Sequence, residues 1–144
     1  MSTEQNKVAV RRFIDEAFVK GNADGVEKLV TPDFTPHSWG KMPSGVEPLK
    51  QAIRRVHAGL AEVRFKIEDM IAEEDKVAVR VTAHAKHQGE FMGMPASGRE
   101  YTISETHIFH MRDGKVCEHW RDADMLGLMQ QIGALPEPKG AKTG

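Results

Sequence analysis

Two carboxylates near the end of the chain have the type and spacing for acid/base chemistry. Asp122 and Asp124 follow Trp120, where a strand pattern passes into a helical one. A carboxyl group can remove a proton from an activated carbon and return it to an oxygen, if burial raises its pKa toward neutrality. The competing interpretation is a helix N-cap, in which helix N–H groups lower the pKa of the carboxylate. Both interpretations are open for Asp124, and Asp122 is the alternative cap.

The Asp113-Gly114 dipeptide predicts which side chains surround these carboxylates. A type I′ turn at these residues pairs Arg112 with Lys115. Continuing that register, one face of the two strands carries Met111, Val116, Phe109, Glu118, His107, Trp120, Glu105 and Asp122. The opposite face is predicted to carry Ile108, His110, Cys117, His119 and Arg121. The first face begins apolar and becomes ionisable toward Asp124, although a bulge would shift the register by one residue.

The elements that position this face follow from hydrophobic periodicity. A capping box at Ser2-x-x-Gln5 predicts a first helix, and helical spacing predicts others over about 24–30, 47–60 and from Met125. Residues 34–39 form a short extended piece. From Val63 the apolar period becomes two, which predicts a hairpin over 63–87 and strands over 99–111 and 115–122. The intervening loop, GEFMGMPASG (89–98), is a candidate lid. We therefore expect an α+β fold, with helices on one face of a curved antiparallel sheet and a pocket on its concave side.

Composition limits the class of protein. The 144 residues predict one domain over 1–135, followed by a flexible tail over 136–144. The 20 basic and 21 acidic residues balance, so nothing favours binding to nucleic acid or to an anionic membrane. The N-terminus is polar, no apolar run reaches the ~20 residues of a membrane span, and there is one cysteine. We expect a cytoplasmic protein.

Several segments carry a resemblance to a known family. They are VTPDFTPH (30–37), EDKVAVR (74–80), GEFMGMPASGR (89–99), DGKVCEHWRDAD (113–124) and LGLMQQIG (126–133). Over about residues 6–136 the chain resembles the SnoaL-like ester cyclase and polyketide cyclase family. The resemblance implies the nuclear-transport-factor-2-like fold, a cone formed by a curved sheet and three helices. It also implies an intramolecular aldol ring closure of a polyketide methyl ester, without a cofactor.

In that family an aspartate acts as general acid/base, and it matches Asp124 in the pattern Trp120-x-x-x-Asp124. Trp120 could stack on a planar ring of the substrate, and His107 could orient the substrate or be a satisfied core histidine. His37 either lines the pocket or is exposed. The predicted substrate-binding residues are His37, Trp39, Glu105, His107, Trp120 and Asp122.

A metal site is not expected. The pairs His84-x-x-His87 and His107-x-x-His110 lie in predicted strands, where residues three apart point to opposite faces. Cys117 has no pattern that would activate a thiol.

Three functions remain to be compared. The first is a cofactor-free cyclase that uses Asp124 and acts on an apolar, oxygenated small molecule. The second is an isomerase or epoxide hydrolase, which would need an Asp/Arg/Asp cluster around a water. The third is a binding or dimerisation module, because a fold alone does not determine a function. We also expect a homodimer through the sheet.

Overall fold

The computed structural model describes residues 1–38 and 40–137 and shows helices packed on a curved five-stranded sheet. The elements are α1 (Thr3–Phe13), a π-helical turn (Ile14–Val19), a 3₁₀ turn (Asp24–Val26), β1 (Val30–Pro36), α2 (Val46–Gly59), β2 (Leu60–Glu73), β3 (Lys76–His87), β4 (Glu100–Arg112), β5 (Lys115–Ala123) and α3 (Met125–Gln131). The predicted α+β cone is confirmed. Trp39 and residues 138–144, which include most of the predicted tail, lie outside the described residues. Within the described ranges, no helix is both long and apolar enough to cross a membrane.

The first helix begins as predicted. The Ser2 hydroxyl accepts from the Gln5 N–H at 3.1 Å, and the Gln5 side chain accepts from the Ser2 N–H at 2.9 Å, which completes the capping box. The helix then widens into a π-helical turn, where the Lys20 N–H donates to the Asp15 carbonyl at 2.8 Å. This widening keeps Ile14 and Ala17 buried in the core.

The predicted second helix over 24–30 is wrong in extent. Only Asp24–Val26 form a 3₁₀ turn, and Val30 begins β1. Val30 is buried as the pattern indicated, but its backbone joins the sheet. There the Val116 N–H donates to the Leu29 carbonyl at 2.9 Å, and β1 runs parallel to β5.

The strand order is β1-β5-β4-β3-β2, and all neighbours except β1 and β5 are antiparallel. Two apolar clusters cover the inner face. The first lies under α1 and α2 and includes Phe13, Phe34, Leu49, Val79 and Phe109. The second lies under α3 and includes Ala83, Ala85, Tyr101, Ile103, Leu128 and Ile132. The short helix α3 therefore closes one end of the concave side.

The predicted β4–β5 register holds only near the turn. Asp113 and Gly114 have φ of 53° and 76°, as a type I′ turn requires, and Arg112 pairs with Lys115. The register then shifts by one residue between His110 and Met111. Beyond the shift the pairs are His110–Glu118, Phe109–His119, Ile108–Trp120, His107–Arg121, Thr106–Asp122 and Glu105–Ala123. The predicted pairs Phe109–Glu118, His107–Trp120 and Glu105–Asp122 are wrong.

A β-bulge at Cys117 causes the shift. Val116 and Cys117 are both buried, and the Cys117 thiol donates to the His110 carbonyl at 3.3 Å. In a regular ladder without the bulge, Cys117 would pair with His110, and Glu118 would face the fully buried Phe109 with its charge unpaired. The bulge turns Glu118 outward and brings His119 and Arg121, which were predicted outside, to the inner face.

The loop after β3 is held against the end of α2 by close backbone contact. The N–H groups of Gln88 and Gly89 both donate to the Gly59 carbonyl at 3.0 Å. A Cβ at Gly89 would lie 2.3 Å from the Ala58 carbonyl oxygen, whereas a Cβ at Gly93 would meet nothing within 4 Å. The tip of the loop, Met92-Gly93, has positive φ at both residues.

This contact predicts different costs for two glycine substitutions in the same loop. Gly89→Ala should lower the free energy of unfolding by about 3 kcal/mol, because the methyl group meets backbone that has to move. Gly93→Ala should cost about 1 kcal/mol, from its positive φ alone. Urea denaturation measures both values. An equal cost for the two variants would contradict the close packing of the loop on α2.

Candidate functional site

Four ionisable side chains meet on the inner face of β4 and β5. His107 is central: its Nε2 lies 2.8 Å from Glu105 Oε1, and its Nδ1 lies 2.8 Å from His119 Nε2. On the other side, Arg121 donates from Nε and Nη2 to the two oxygens of Glu105, at 3.1 and 2.8 Å. We call these four residues, Glu105, His107, His119 and Arg121, the inner cluster.

Glu105 is the anion of the inner cluster. Its side chain is 4% exposed, and burial alone would raise its pKa. The hydrogen bonds from His107 and Arg121 outweigh burial and lower the pKa to about 2. Glu105 is therefore ionised at neutral pH and is a fixed acceptor for both neighbours.

His119 is fully buried, and burial, followed by the charges of His107 and Arg121, lowers its pKa well below the usual range. It is therefore a neutral imidazole. A neutral ring beside His107 adds no charge to the inner cluster.

Aromatic rings exclude water from most of the cluster. The rings of Phe18, Phe109 and Phe65 have centroids 5.3, 5.9 and 6.3 Å from that of His107. Arg121 is the accessible member, since its side chain is 29% exposed. Two of its nitrogens hold Glu105, and the guanidinium has further N–H groups. Arg121 is thus the part of the inner cluster that a bound molecule reaches first.

Asp124 lies directly after β5 and is exposed. Its Oδ1 accepts from the Gly127 N–H at 2.9 Å and caps α3, so the cap is Asp124 and not Asp122. Its own N–H donates to the carbonyl of Ser104, the neighbour of Glu105, at 3.1 Å. A Cβ at Gly127 would lie 2.2 Å from Asp124 Oδ2, so glycine there leaves room for the carboxylate.

The outer face carries a second network. Glu118 accepts from His110 Nδ1 at 2.8 Å and lies 2.7 Å from His37 Nε2, while His110 Nε2 lies 2.9 Å from Asp75. His37 also stacks on Trp120, with ring centroids 4.6 Å apart. These hydrogen bonds raise the pKa of His110, with that from Glu118 the largest cause.

One group of potential metal ligands arises on this outer face. Donor atoms of His110, Cys117 and Glu118 all lie within 4.8 Å of one another, which sequence spacing did not indicate. Both nitrogens of His110 already face carboxylates, and burial raises the pKa of the Cys117 thiol. The donors are therefore engaged with each other and with the backbone rather than arranged around a common centre.

Of the predicted site residues, the structure brings Glu105 and His107 together. It places Trp120, Asp122 and His37 on the other face of the sheet, so the register argument no longer supports a role for them in the concave pocket. Sequence reasoning missed His119 and Arg121. A signal was available in the sequence. The predicted register would bury Glu118 opposite Phe109 without a cation, whereas a register shifted by one residue brings Arg121 to the same face as the buried Glu105.

The histidines three apart do point to opposite faces, as predicted: His84 bonds Glu100 and Thr102 outside, while His87 is buried.

Comparisons with known proteins agree with this architecture. The chain is 30% identical over 129 residues to the aklanonic acid methyl ester cyclase AcmA of Streptomyces galilaeus, covering 87% of this chain and 88% of AcmA. It is 28% identical over 137 residues to the corresponding cyclase DauD of Streptomyces sp. strain C5, covering 91% and 84%. The solved structure of TsrD from Streptomyces laurentii superimposes with a TM-score of 0.85 at 27% identity, covering 94% and 99%.

The profile of the SnoaL-like polyketide cyclase family matches residues 8–132, which span α1 to α3. The fold and both sequence relatives agree with that match. The chain belongs to the SnoaL-like polyketide cyclase family.

Proposed function

We propose that this protein is a cofactor-independent cyclase that closes a ring in a polyketide-type ester by an intramolecular aldol reaction. The observation that carries the proposal is the position of Arg121: it is held by a buried carboxylate, is partly exposed, and belongs to the strand that leads directly to Asp124. A base and an electrophilic group on one short segment meet the two needs of an aldol closure.

The proposed reaction begins at a carbon between two carbonyl groups. Asp124 removes a proton from this carbon, and the resulting enolate attacks a ketone carbon of the same molecule, forming one C–C bond. The ketone oxygen becomes an alkoxide and recovers the proton from Asp124, so no atom or electron is gained or lost. Arg121 donates N–H groups to the oxygen on which negative charge develops.

Glu105, His107 and His119 are positioning residues in this proposal. Glu105 fixes the guanidinium plane of Arg121 through two hydrogen bonds, and His107 fixes Glu105 from the opposite side. Asp124 is exposed rather than buried, so in this proposal the bound apolar substrate itself has to displace water from the carboxylate. The role of Asp124 as general acid/base stays a prediction. Substrate binding by His37, Trp120 and Asp122 stays a prediction, as does the cytoplasmic location.

A specific observation favours a second candidate, a binding module without catalysis. The Asp124 carboxylate already serves α3 as its cap, which is a sufficient structural reason for an aspartate there. The two candidates predict different results when Asp124 is changed.

Replacing Asp124 by Asn should separate capping from catalysis, since Asn caps a helix nearly as well as Asp. Asp124→Asn should lower turnover of aklanonic acid methyl ester, the substrate in the relatives' names, by at least about 100-fold. Its free energy of unfolding should change by less than about 0.5 kcal/mol. Product formation followed by chromatography, and urea denaturation, measure the two effects. Asp69→Asn, at an exposed aspartate that accepts from Arg80 outside the proposed site, is the matched control and should keep turnover within about twofold.

Two outcomes would contradict the cyclase. One is equal turnover by Asp124→Asn and the wild type. The other is binding without turnover by the wild type, together with no exchange of the acidic C–H proton of a β-keto ester into deuterated water. The second outcome supports the binding module.

The buried anion Glu105 predicts a pH-dependent stability. Its pKa is about 2 in the folded chain against 4.5 for an unperturbed Glu, so its contribution is complete above about pH 5 and is lost as the pH falls from 4.5 toward 2. Glu105→Gln should therefore cost about 3 kcal/mol at pH 7, and this difference should shrink at pH 4 and pH 3.

Urea denaturation across this pH range measures the difference. Glu100→Gln, on the same strand but exposed on the outer face, is the control and should cost less than about 0.5 kcal/mol at every pH. A pH-independent cost for Glu105→Gln would contradict the ionised, hydrogen-bonded carboxylate.

We also propose that two copies associate through the outer face of the sheet. Ile108 is 41% exposed there, beside Trp120 on β5. In a two-fold interface Ile108→Glu would place two like charges close together, and the variant should sediment as a monomer at micromolar concentration. Leu126→Glu, on α3 away from this face, is the control and should remain dimeric. A monomeric wild type would overturn this proposal.

A further inference from the structure

A cavity at the C-terminal end of α3 is separate from Asp124, which lies at the other end of that helix. Its volume is about 370 Å³, and it is lined by His87, Met94, Pro95, Ser97, Ile132 and the Gly133-Ala134 segment. The size falls in the range of small-molecule sites. Its lining carries no charged side chain, and the polar side chains among its residues are His87 and Ser97.

Hydrogen bonds to Ser97 define the tautomer of His87. The imidazole is 1% exposed, and its Nδ1 accepts from the Ser97 N–H at 3.3 Å. The Ser97 hydroxyl lies 2.9 Å from the same nitrogen and itself accepts from the Arg99 N–H at 3.2 Å, so its own hydrogen also points to Nδ1. With two donors directed at Nδ1, the proton of the neutral ring is on Nε2.

That Nε2–H is buried and has no hydrogen-bond partner among residues 1–38 and 40–137. The ring of Phe91 lies at 69° to that of His87, with the two centroids 6.3 Å apart. An unmet buried donor costs about 1–3 kcal/mol, so native structures rarely keep one without a function. The missing partner must be an acceptor.

We propose that this cavity is a binding site for a neutral, apolar molecule whose carbonyl oxygen accepts from the Nε2–H of His87. Met94, Pro95 and Ile132 provide apolar contact, and the absence of a lining charge disfavours an ion. The Arg99 guanidinium lies against Gly133, at the edge of the site, and the comparison with 1-naphthoate tests whether it attracts an anion. The site is independent of the reaction proposed for Asp124 and Arg121.

A matched pair of probes tests the site: 1-tetralone, which carries one carbonyl on a fused ring, and tetralin, which has the same shape without it. Wild-type protein should bind 1-tetralone about fivefold more tightly than tetralin, the difference expected of one hydrogen bond. In long-range ¹H–¹⁵N spectra His87 should be the Nε2–H tautomer, and 1-tetralone but not tetralin should shift its Nε2 resonance.

The variant His87→Leu should bind the two probes equally, because it removes the donor and keeps the apolar volume. His84→Leu is the control: His84 lies on the opposite face of the same strand, and its variant should retain the fivefold preference. Asp124→Asn should retain it too, which separates this site from the proposed reaction. The spectra of the wild type decide the question even if His87→Leu does not fold.

Four results would overturn the site. They are equal binding of both probes by the wild type, a ketone preference that persists in His87→Leu, tighter binding of 1-naphthoate than of 1-tetralone, and no binding of either probe at millimolar concentration. In the last case the cavity holds only water.

Discussion

A buried carboxylate, held ionised by two partners, is the constraint on which the inner face of this sheet depends. Glu105 loses its hydration inside the cone, and hydrogen bonds from Arg121 and His107 compensate for that loss. The position of His107 and the direction of Arg121 follow from meeting that need. The inner face of the sheet is polar at this point because Glu105 requires hydrogen-bond donors on both sides.

The architecture was largely predictable because it rests on local, repeated signals. The capping box at Ser2, the alternation of the long strands and the positive-φ turn at Asp113-Gly114 each act over a few residues, and each has the expected form. Val30 shows the limit of such signals. The spacing of apolar residues predicted its burial, but a buried valine fits a helix or a strand. Pairing with Val116, far along the chain, determines that Val30 lies in a strand.

The site was less predictable because the strand register decides which side chains face inward. A shift of one residue in that register exchanges the inner and outer side chains. Glu105 and His107 precede the bulge and were assigned to the correct face. His119 and Arg121 follow it and were not. The turn fixes the pairing of later residues only while both strands contribute the same number of residues. Cys117, buried beside Val116, is an extra residue on β5 and shifts the pairing by one. Periodicity does not contain the missing information. It comes from asking, for each candidate register, whether every buried charge has a partner.

The bulge also shapes how this strand can evolve. Cys117 is an extra residue, so its loss would leave a regular ladder with the same later pairs, such as His110–Glu118 and Phe109–His119. If the residue stayed and the strand paired without a bulge, Trp120 and Asp122 would turn inward and the cation that neutralises Glu105 would leave. Relatives with a gap at this position would therefore be expected to keep the same ionisable groups on the inner face. An alignment that places the gap after position 121 would compare inner residues of one protein with outer residues of the other.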